Sequence, residues 1–123
     1  MNRLPAVILT ALILLGLYIV GCSGSKKNPV NPGGAADVTI NIVGQNGSNS
    51  YNPSPDTVSM GTTVSWHNSD TIGHTATSTS TNAFGTGTLS PGATSPKVAL
   101  NTPGTIHYQC TIHPAMVGTI VVR

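Results

Sequence analysis

Charged and aromatic residues are scarce in this sequence. Asp, Glu, Lys and Arg make up 7% of its 123 residues, the formal charge is only +2, and aromatic residues account for 4%. So few basic side chains form no positive patch, which argues against nucleic acid as a partner. No segment shows sustained helical periodicity, so a helical bundle is not expected. The length allows one domain with one modest core, which we expect to be a monomer.

Only two cysteines are present, and the first belongs to an N-terminal targeting segment. Arg3 leads into an apolar run that ends at Ile19-Val20-Gly21-Cys22, a pattern typical of export signals. The end of the run resembles the cleavage box of bacterial lipoproteins, which implies a signal peptide over residues 1–22 and a lipid on Cys22. An uncleaved membrane anchor is the alternative. Both interpretations tether the chain to a membrane, facing the periplasm or the cell exterior.

The second cysteine, Cys110, has no partner for a disulfide once Cys22 carries lipid. A free thiol in an oxidising compartment therefore needs a reason, which is either burial or metal ligation.

A flexible linker and a β domain follow the targeting segment. Residues 23–36 are mainly Gly, Ser, Pro, Asn and Lys, a composition that cannot form a core. Residues 37–123 then show short alternating segments, separated by Pro- and Gly-rich turns. This pattern predicts an all-β fold, an antiparallel Greek-key β-sandwich. The predicted strands are Val38 to Val43, Thr57 to Met60, Thr63 to Asn68, His74 to Thr79, Lys97 to Leu100, Thr105 to Cys110 and Gly118 to Arg123.

The alternation also predicts which side chains face the core. In the segment Thr105 to Cys110, Cys110 falls on the inward face and His107 on the opposite one. The same rule places His67 beside Ser65 on a solvent-facing side of its strand. Neither histidine is therefore expected at an internal site.

The segment from Cys110 to Met116 contains three potential metal ligands. Cys110 supplies a thiol, His113 an imidazole and Met116 a thioether, all within the loop before the last strand. His74, at the predicted start of a strand, supplies a second imidazole at the same end of the sandwich. Soft sulfur ligands favour Cu(I), and imidazole accepts either oxidation state of copper. The sequence therefore predicts one copper site formed by His74, Cys110, His113 and Met116.

These segments resemble the cupredoxins, in particular amicyanin and plastocyanin-like proteins. The loop and the strand after it, Cys110 to Val122, look like the copper loop and last strand of that family. The segment Val64 to Asp70, followed by His74 and Thr75, is similar to the family's approach to its first histidine ligand. Thr75 is a departure, because several relatives have Asn there to brace the site.

The resemblance implies a type 1 blue copper protein that transfers single electrons. The electron would leave through the exposed edge of His113 toward redox protein partners that dock transiently. Ile72, Gly73, Pro114 and Ala115 are the candidate docking patch. Such a protein is a carrier and not an enzyme.

Three alternatives remain open or disfavoured at this point. The same ligands suit copper delivery or storage. Copper-transfer sites are usually Met-rich, however, and this domain offers only Met60 and Met116. Of these two, Met60 is predicted to lie in the core. A metal-free sandwich acting as an interaction module is the other open alternative. A Cys110 nucleophile with His113 as its base is disfavoured, since nothing in the loop orients His113.

Overall fold

The computed structural model describes residues 36–80 and 84–123. The predicted signal segment with Cys22, and the predicted linker up to residue 35, lie outside the described residues. Lipidation of Cys22 and the domain boundaries therefore stay predictions. Within the described ranges, no helix is both long enough and apolar enough to cross a membrane.

Two four-stranded β-sheets enclose the core. The first has the strand order β2-β1-β4-β6 and the second has the order β3-β8-β7-β5. A short 3-10 helix, Gly47–Asn49, precedes β2. The all-β sandwich expected from the alternating sequence is thus confirmed. The strands are β1 Val38–Ile42, β2 Tyr51–Asn52, β3 Asp56–Val58, β4 Thr63–Asn68, β5 Thr77–Ser78, β6 Val98–Ala99, β7 Gly104–Gln109 and β8 Val117–Val122.

The predicted Greek-key sandwich is mainly antiparallel, but each sheet also contains one parallel pair, which the sequence did not predict. β1 runs parallel to β4, and β3 runs parallel to β8, whereas the other four pairs are antiparallel. Strands that are parallel neighbours cannot be joined by a tight hairpin and need a crossover between them. Here the chain leaves each sheet and returns to it, so neighbours in a sheet are often not consecutive in sequence, as Greek-key crossings require.

Strand bounds follow the alternation closely, with two exceptions. β2 was not predicted, because a strand of two residues is too short to show a period. The predicted strand His74 to Thr79 is reduced to β5, Thr77–Ser78. The ladder does not continue through Thr75 and Ala76, because their N–H groups donate to the side chains of Cys110 and Thr86.

The core confirms most of the predicted inward positions. Cys110 is completely buried, and His107 on the opposite face of the chain is exposed. Ser65 was expected on a solvent-facing side but is buried, because β4 is a central strand flanked by β1 and β6. Met60 was expected in the core but is 60% exposed, since it lies in the turn after β3. The core side chains are Ile40, Ile42, Tyr51, Val58, Val64, Trp66, Ala76, Leu89, Leu100, Ile106, Tyr108, Cys110, Met116, Ile120 and Val122.

Candidate metal centre

The loop between β7 and β8 is closed by its own backbone. The two strands are paired up to Gln109 and Val117. Beyond that pair, the N–H of Cys110 donates to the carbonyl of Met116 at 3.0 Å, and the N–H of Met116 donates to the carbonyl of His113 at 2.9 Å. Cys110 and Met116 therefore lie at the neck of the loop, and His113 lies between them.

Asn68 fixes the segment that leads to His74. Its buried side-chain amide donates to the carbonyls of Ile72 at 2.7 Å and Leu89 at 2.8 Å, and its oxygen accepts the N–H of Asp70 at 3.0 Å. The backbone of His74 exchanges two hydrogen bonds with Leu89, at 3.2 and 2.7 Å. These contacts hold His74 at the end of the sandwich that also carries the β7–β8 loop.

Three of the four predicted ligands converge at this end. The Nδ1 atoms of His74 and His113 lie 3.2 Å apart. The Sγ atom of Cys110 lies 3.9 Å from Nδ1 of His74 and 3.8 Å from Nδ1 of His113. His74 and Cys110 are completely buried, and His113 is half-buried. The three residues form one group of potential metal ligands.

The size of this triangle fits a metal ion. A point equidistant from the three atoms lies about 2.1 Å from each, close to the roughly 2.0–2.3 Å bonds that a first-row metal such as zinc makes to imidazole and thiolate. Two imidazoles with one thiolate are the equatorial donor set that suits copper. The cluster therefore fits a copper ion by both spacing and chemistry.

Met116, the fourth predicted ligand, is completely buried beside this cluster. Its N–H and carbonyl bond to His113 and Cys110, so the backbone position of the residue is fixed relative to both. A weak axial thioether is the usual addition to such a donor set. That role for Met116 stays a prediction.

The surroundings of Cys110 favour its thiolate, which is the form that binds metal. Burial by itself raises the pKa of the thiol. Hydrogen bonds from the backbone of Thr75, His113 and Ile112, together with the contact to the ring of His74, outweigh this effect and lower the pKa to about 6. The contact from the N–H of Thr75 to Sγ measures 3.3 Å. The metal-free site is therefore prepared to receive a cation.

Thr75 also joins the two ligand-bearing segments. Its hydroxyl oxygen accepts the N–H of Thr111 at 2.8 Å and lies 3.1 Å from the hydroxyl oxygen of Thr111. Thr111 directly follows Cys110. The side chain that departs from the family pattern thus provides a brace between the two segments.

Asp70 is a functional candidate that the sequence did not reveal. Its Oδ2 atom lies 2.7 Å from Nε2 of His74, on the opposite side of the ring from the cluster. A carboxylate in the turn before a predicted ligand is a weak signal, because spacing along a turn does not show whether the side chain folds back.

Two histidines that the sequence excluded from the site, and the residues of the candidate docking patch, differ in their exposure. His67 and His107 are outside the cluster and contact the hydroxyl groups of Thr94 and Thr119. In the candidate docking patch, Pro114 and Ala115 are exposed, Ile72 is 42% exposed and Gly73 is half-buried. Ile112, which was not predicted there, is 49% exposed in the same loop as His113.

Several solved structures resemble this domain. A purple cupredoxin from Nitrosopumilus maritimus is 28% identical, with a TM-score of 0.62 over 71% of this chain and 100% of that chain. A Cu(I) form of an amicyanin mutant is 22% identical, with a TM-score of 0.60 over 70% of this chain and 81% of that chain. A copper-containing nitrite reductase from Thermus scotoductus SA-01 is 31% identical, with a TM-score of 0.61, over 70% of this chain but only 22% of that chain. No family model and no curated protein matches the sequence.

Proposed function

We propose that this chain, which has the cupredoxin fold over its described residues, holds one type 1 copper ion and carries single electrons between proteins outside the cytoplasm. The observation that carries the proposal is the convergence of one thiolate and two Nδ1 atoms within 3.9 Å of one another. Copper bound there would alternate between Cu(I) and Cu(II). Met116 is the proposed weak axial ligand.

The chain's own residues favour electron transfer over small-molecule chemistry. The ligands are held before any metal binds, by the hydrogen bonds of Asn68, Thr75 and the loop backbone. Such a fixed set needs little rearrangement when an electron is gained or lost. Three equatorial donors with Met116 would leave no open position for a substrate, in contrast to catalytic sites. We therefore propose a carrier and not an enzyme.

The proposed route to a partner is the ring of His113. His113 is half-buried, whereas His74 and Cys110 are enclosed. Exposed apolar side chains, Ile72 and Ile112, lie in the two ligand segments and would provide a small docking patch with Pro114 and Ala115. Small interfaces of this kind suit transient partners.

A lipid on Cys22 is proposed as the tether, with residues 23–36 as the linker that lets the domain reorient. A tether raises the local concentration of the domain near membrane-bound partners. If a lipid on Cys22 is the tether, the variant Cys22→Ser should no longer partition with membranes. Retention of the variant in membranes would indicate an uncleaved anchor instead.

The central test is the visible spectrum of the full chain, purified in detergent and titrated with Cu(II). An intense blue thiolate-to-copper band should appear with one copper per chain. Cys110→Ser should abolish this band, and Cys22→Ser, the matched replacement of the other cysteine, should keep it. A colourless wild type would refute the copper proposal. Rapid copper loss to a chelator with slow electron self-exchange would instead favour copper delivery.

A further inference from the structure

The two imidazoles of the candidate site have different surroundings. The ring of His74 uses both nitrogens, since Nδ1 points to the cluster and Nε2 lies 2.7 Å from Oδ2 of Asp70. For His113, only Nδ1 has a hydrogen-bonding contact among residues 36–80 and 84–123. One ligand ring is thus paired with a carboxylate and the other is not.

The carboxylate of Asp70 is held in place from several directions. The Oδ1 atom accepts a hydrogen bond from the N–H of Thr71 at 2.7 Å, and the backbone N–H of Asp70 donates to the side chain of Asn68. Gly44 lies close to the same carboxylate, since a Cβ added there would be 3.4 Å from Oδ2. The side chain of Asp70 is 24% exposed, whereas that of His74 is completely buried. Each carboxylate oxygen therefore has a defined partner, and Oδ2 is directed at the ring.

The charge state of Asp70 is suited to this contact. A carboxyl group is ionised at neutral pH, and both oxygens of Asp70 are positioned as acceptors, Oδ1 for the N–H of Thr71 and Oδ2 for Nε2 of His74. A carboxylate accepts a hydrogen bond from an N–H group and cannot donate one. Nε2 of His74 must then carry the proton, which leaves the lone pair on Nδ1, the atom that faces Cys110 and His113.

We propose that Asp70 is a positioning residue that fixes the tautomer of His74 and shifts the copper site toward Cu(II). Carboxylates that accept a hydrogen bond from a ligand histidine make that histidine a stronger donor and hold its ring. A negative charge near the metal also stabilises the doubly charged ion more than the singly charged one. This inference rests on the proposed copper function and adds a determinant of the reduction potential to it.

The test compares Asp70→Asn with Asp37→Asn. Both changes remove one negative charge, and both residues use the carboxylate as a hydrogen-bond acceptor, but Asp37 bonds to Thr63 at the start of β4. Cu(I) and Cu(II) affinities are measured with competing chelators, and the reduction potential is measured by voltammetry. Asp70→Asn should weaken Cu(II) binding about 10- to 100-fold with a smaller change for Cu(I). The potential should rise by about 59 mV for each tenfold change in the affinity ratio.

Asp37→Asn should leave both affinities and the potential unchanged. The proposal is overturned when Asp70→Asn keeps the wild-type ratio of Cu(II) to Cu(I) affinity, or when Asp37→Asn changes that ratio as much. If Asp70→Asn does not fold, Asp70→Ala replaces it, with an effect at least as large expected.

A second readout needs no copper. Nitrogen NMR of the metal-free protein, at a pH where the ring is neutral, should show the proton of His74 on Nε2 in the wild type and a mixed population in Asp70→Asn. An unchanged tautomer in the variant would refute the positioning role. If the wild type binds no copper, the proposed function fails, but this measurement still decides whether Asp70 fixes the ring.

Discussion

The hydroxyl of Thr75 provides the sharpest test of how the site is held together. It accepts the N–H of Thr111 at 2.8 Å and contacts the hydroxyl of Thr111 at 3.1 Å. Thr75→Val keeps the shape of this buried side chain and removes both hydrogen bonds. At about 0.5–1.5 kcal/mol for each bond, the free energy of unfolding should fall by about 1–3 kcal/mol. Urea unfolding of the metal-free protein measures this change.

The copper site should respond as well, because the lost bonds connect the segment of His74 to the loop of Cys110. We expect copper to be lost to a chelator about tenfold faster or more from Thr75→Val, in line with the effect of removing groups that support ligands. Thr63→Val is the matched control, since the hydroxyl of Thr63, at the start of β4, also makes two hydrogen bonds, both with Asp37. It should lose similar stability and keep copper like the wild type. Equal copper retention in both variants would refute the bracing role of Thr75.

Three further predictions concern the Cys110 thiol, the packing of Gly118 against Tyr108, and Met116 as the proposed axial ligand. The pKa of Cys110 is lowered to about 6 in the folded metal-free protein, whereas an ordinary thiol has a pKa of about 8.5. The wild type should therefore lose stability relative to Cys110→Ser as the pH falls from about 8.5 toward 6. Urea unfolding at several pH values measures this difference. Gly118→Ala should cost about 1–3 kcal/mol of unfolding free energy, because the new Cβ would overlap the ring of Tyr108. Met116→Leu should cost less than about 1.5 kcal/mol and keep copper, with a raised reduction potential because the thioether donor is gone.

Each of these predictions has an outcome that contradicts it. A stability difference between wild type and Cys110→Ser that does not vary with pH would mean that the thiol has an ordinary pKa. Gly85→Ala is the control for Gly118→Ala, since among the described residues its Cβ would meet only the side chain of Thr77, at 3.8 Å. Equal losses would argue against the overlap with Tyr108. An unchanged potential in Met116→Leu would remove Met116 from the ligand set.

The sequence was informative where one local pattern decides the outcome. Alternation predicted the bounds of β4 and the inward direction of Cys110, because parity along a strand fixes the face of every side chain. It failed for Met60 and for Ser65, since a turn and a central strand change burial without changing the pattern. The mixed pairing of the sheets was missed for a related reason. Strand direction depends on which strands become neighbours, and alternation within one strand does not record it.

The candidate site divides in the same way. The sequence alone indicated the segment Cys110 to Met116 as a metal-binding loop, because its potential ligands are close in sequence and fall in one loop. His74 was inferred from its place after a turn, and the structure then brought its Nδ1 within 3.2 Å of that of His113. Asp70 and the brace at Thr75 became visible only in three dimensions.

By itself, then, the sequence determined the alternation of strands, the inward thiol and the types of donor atom available, because these depend on residue identity and on the period of the backbone. Only the tertiary structure decided the spacing of the three donor atoms, the carboxylate behind His74 and the thiolate-favouring surroundings of Cys110. Those properties arise between segments that are more than thirty residues apart, or from how a turn folds back, and no local pattern encodes such distances.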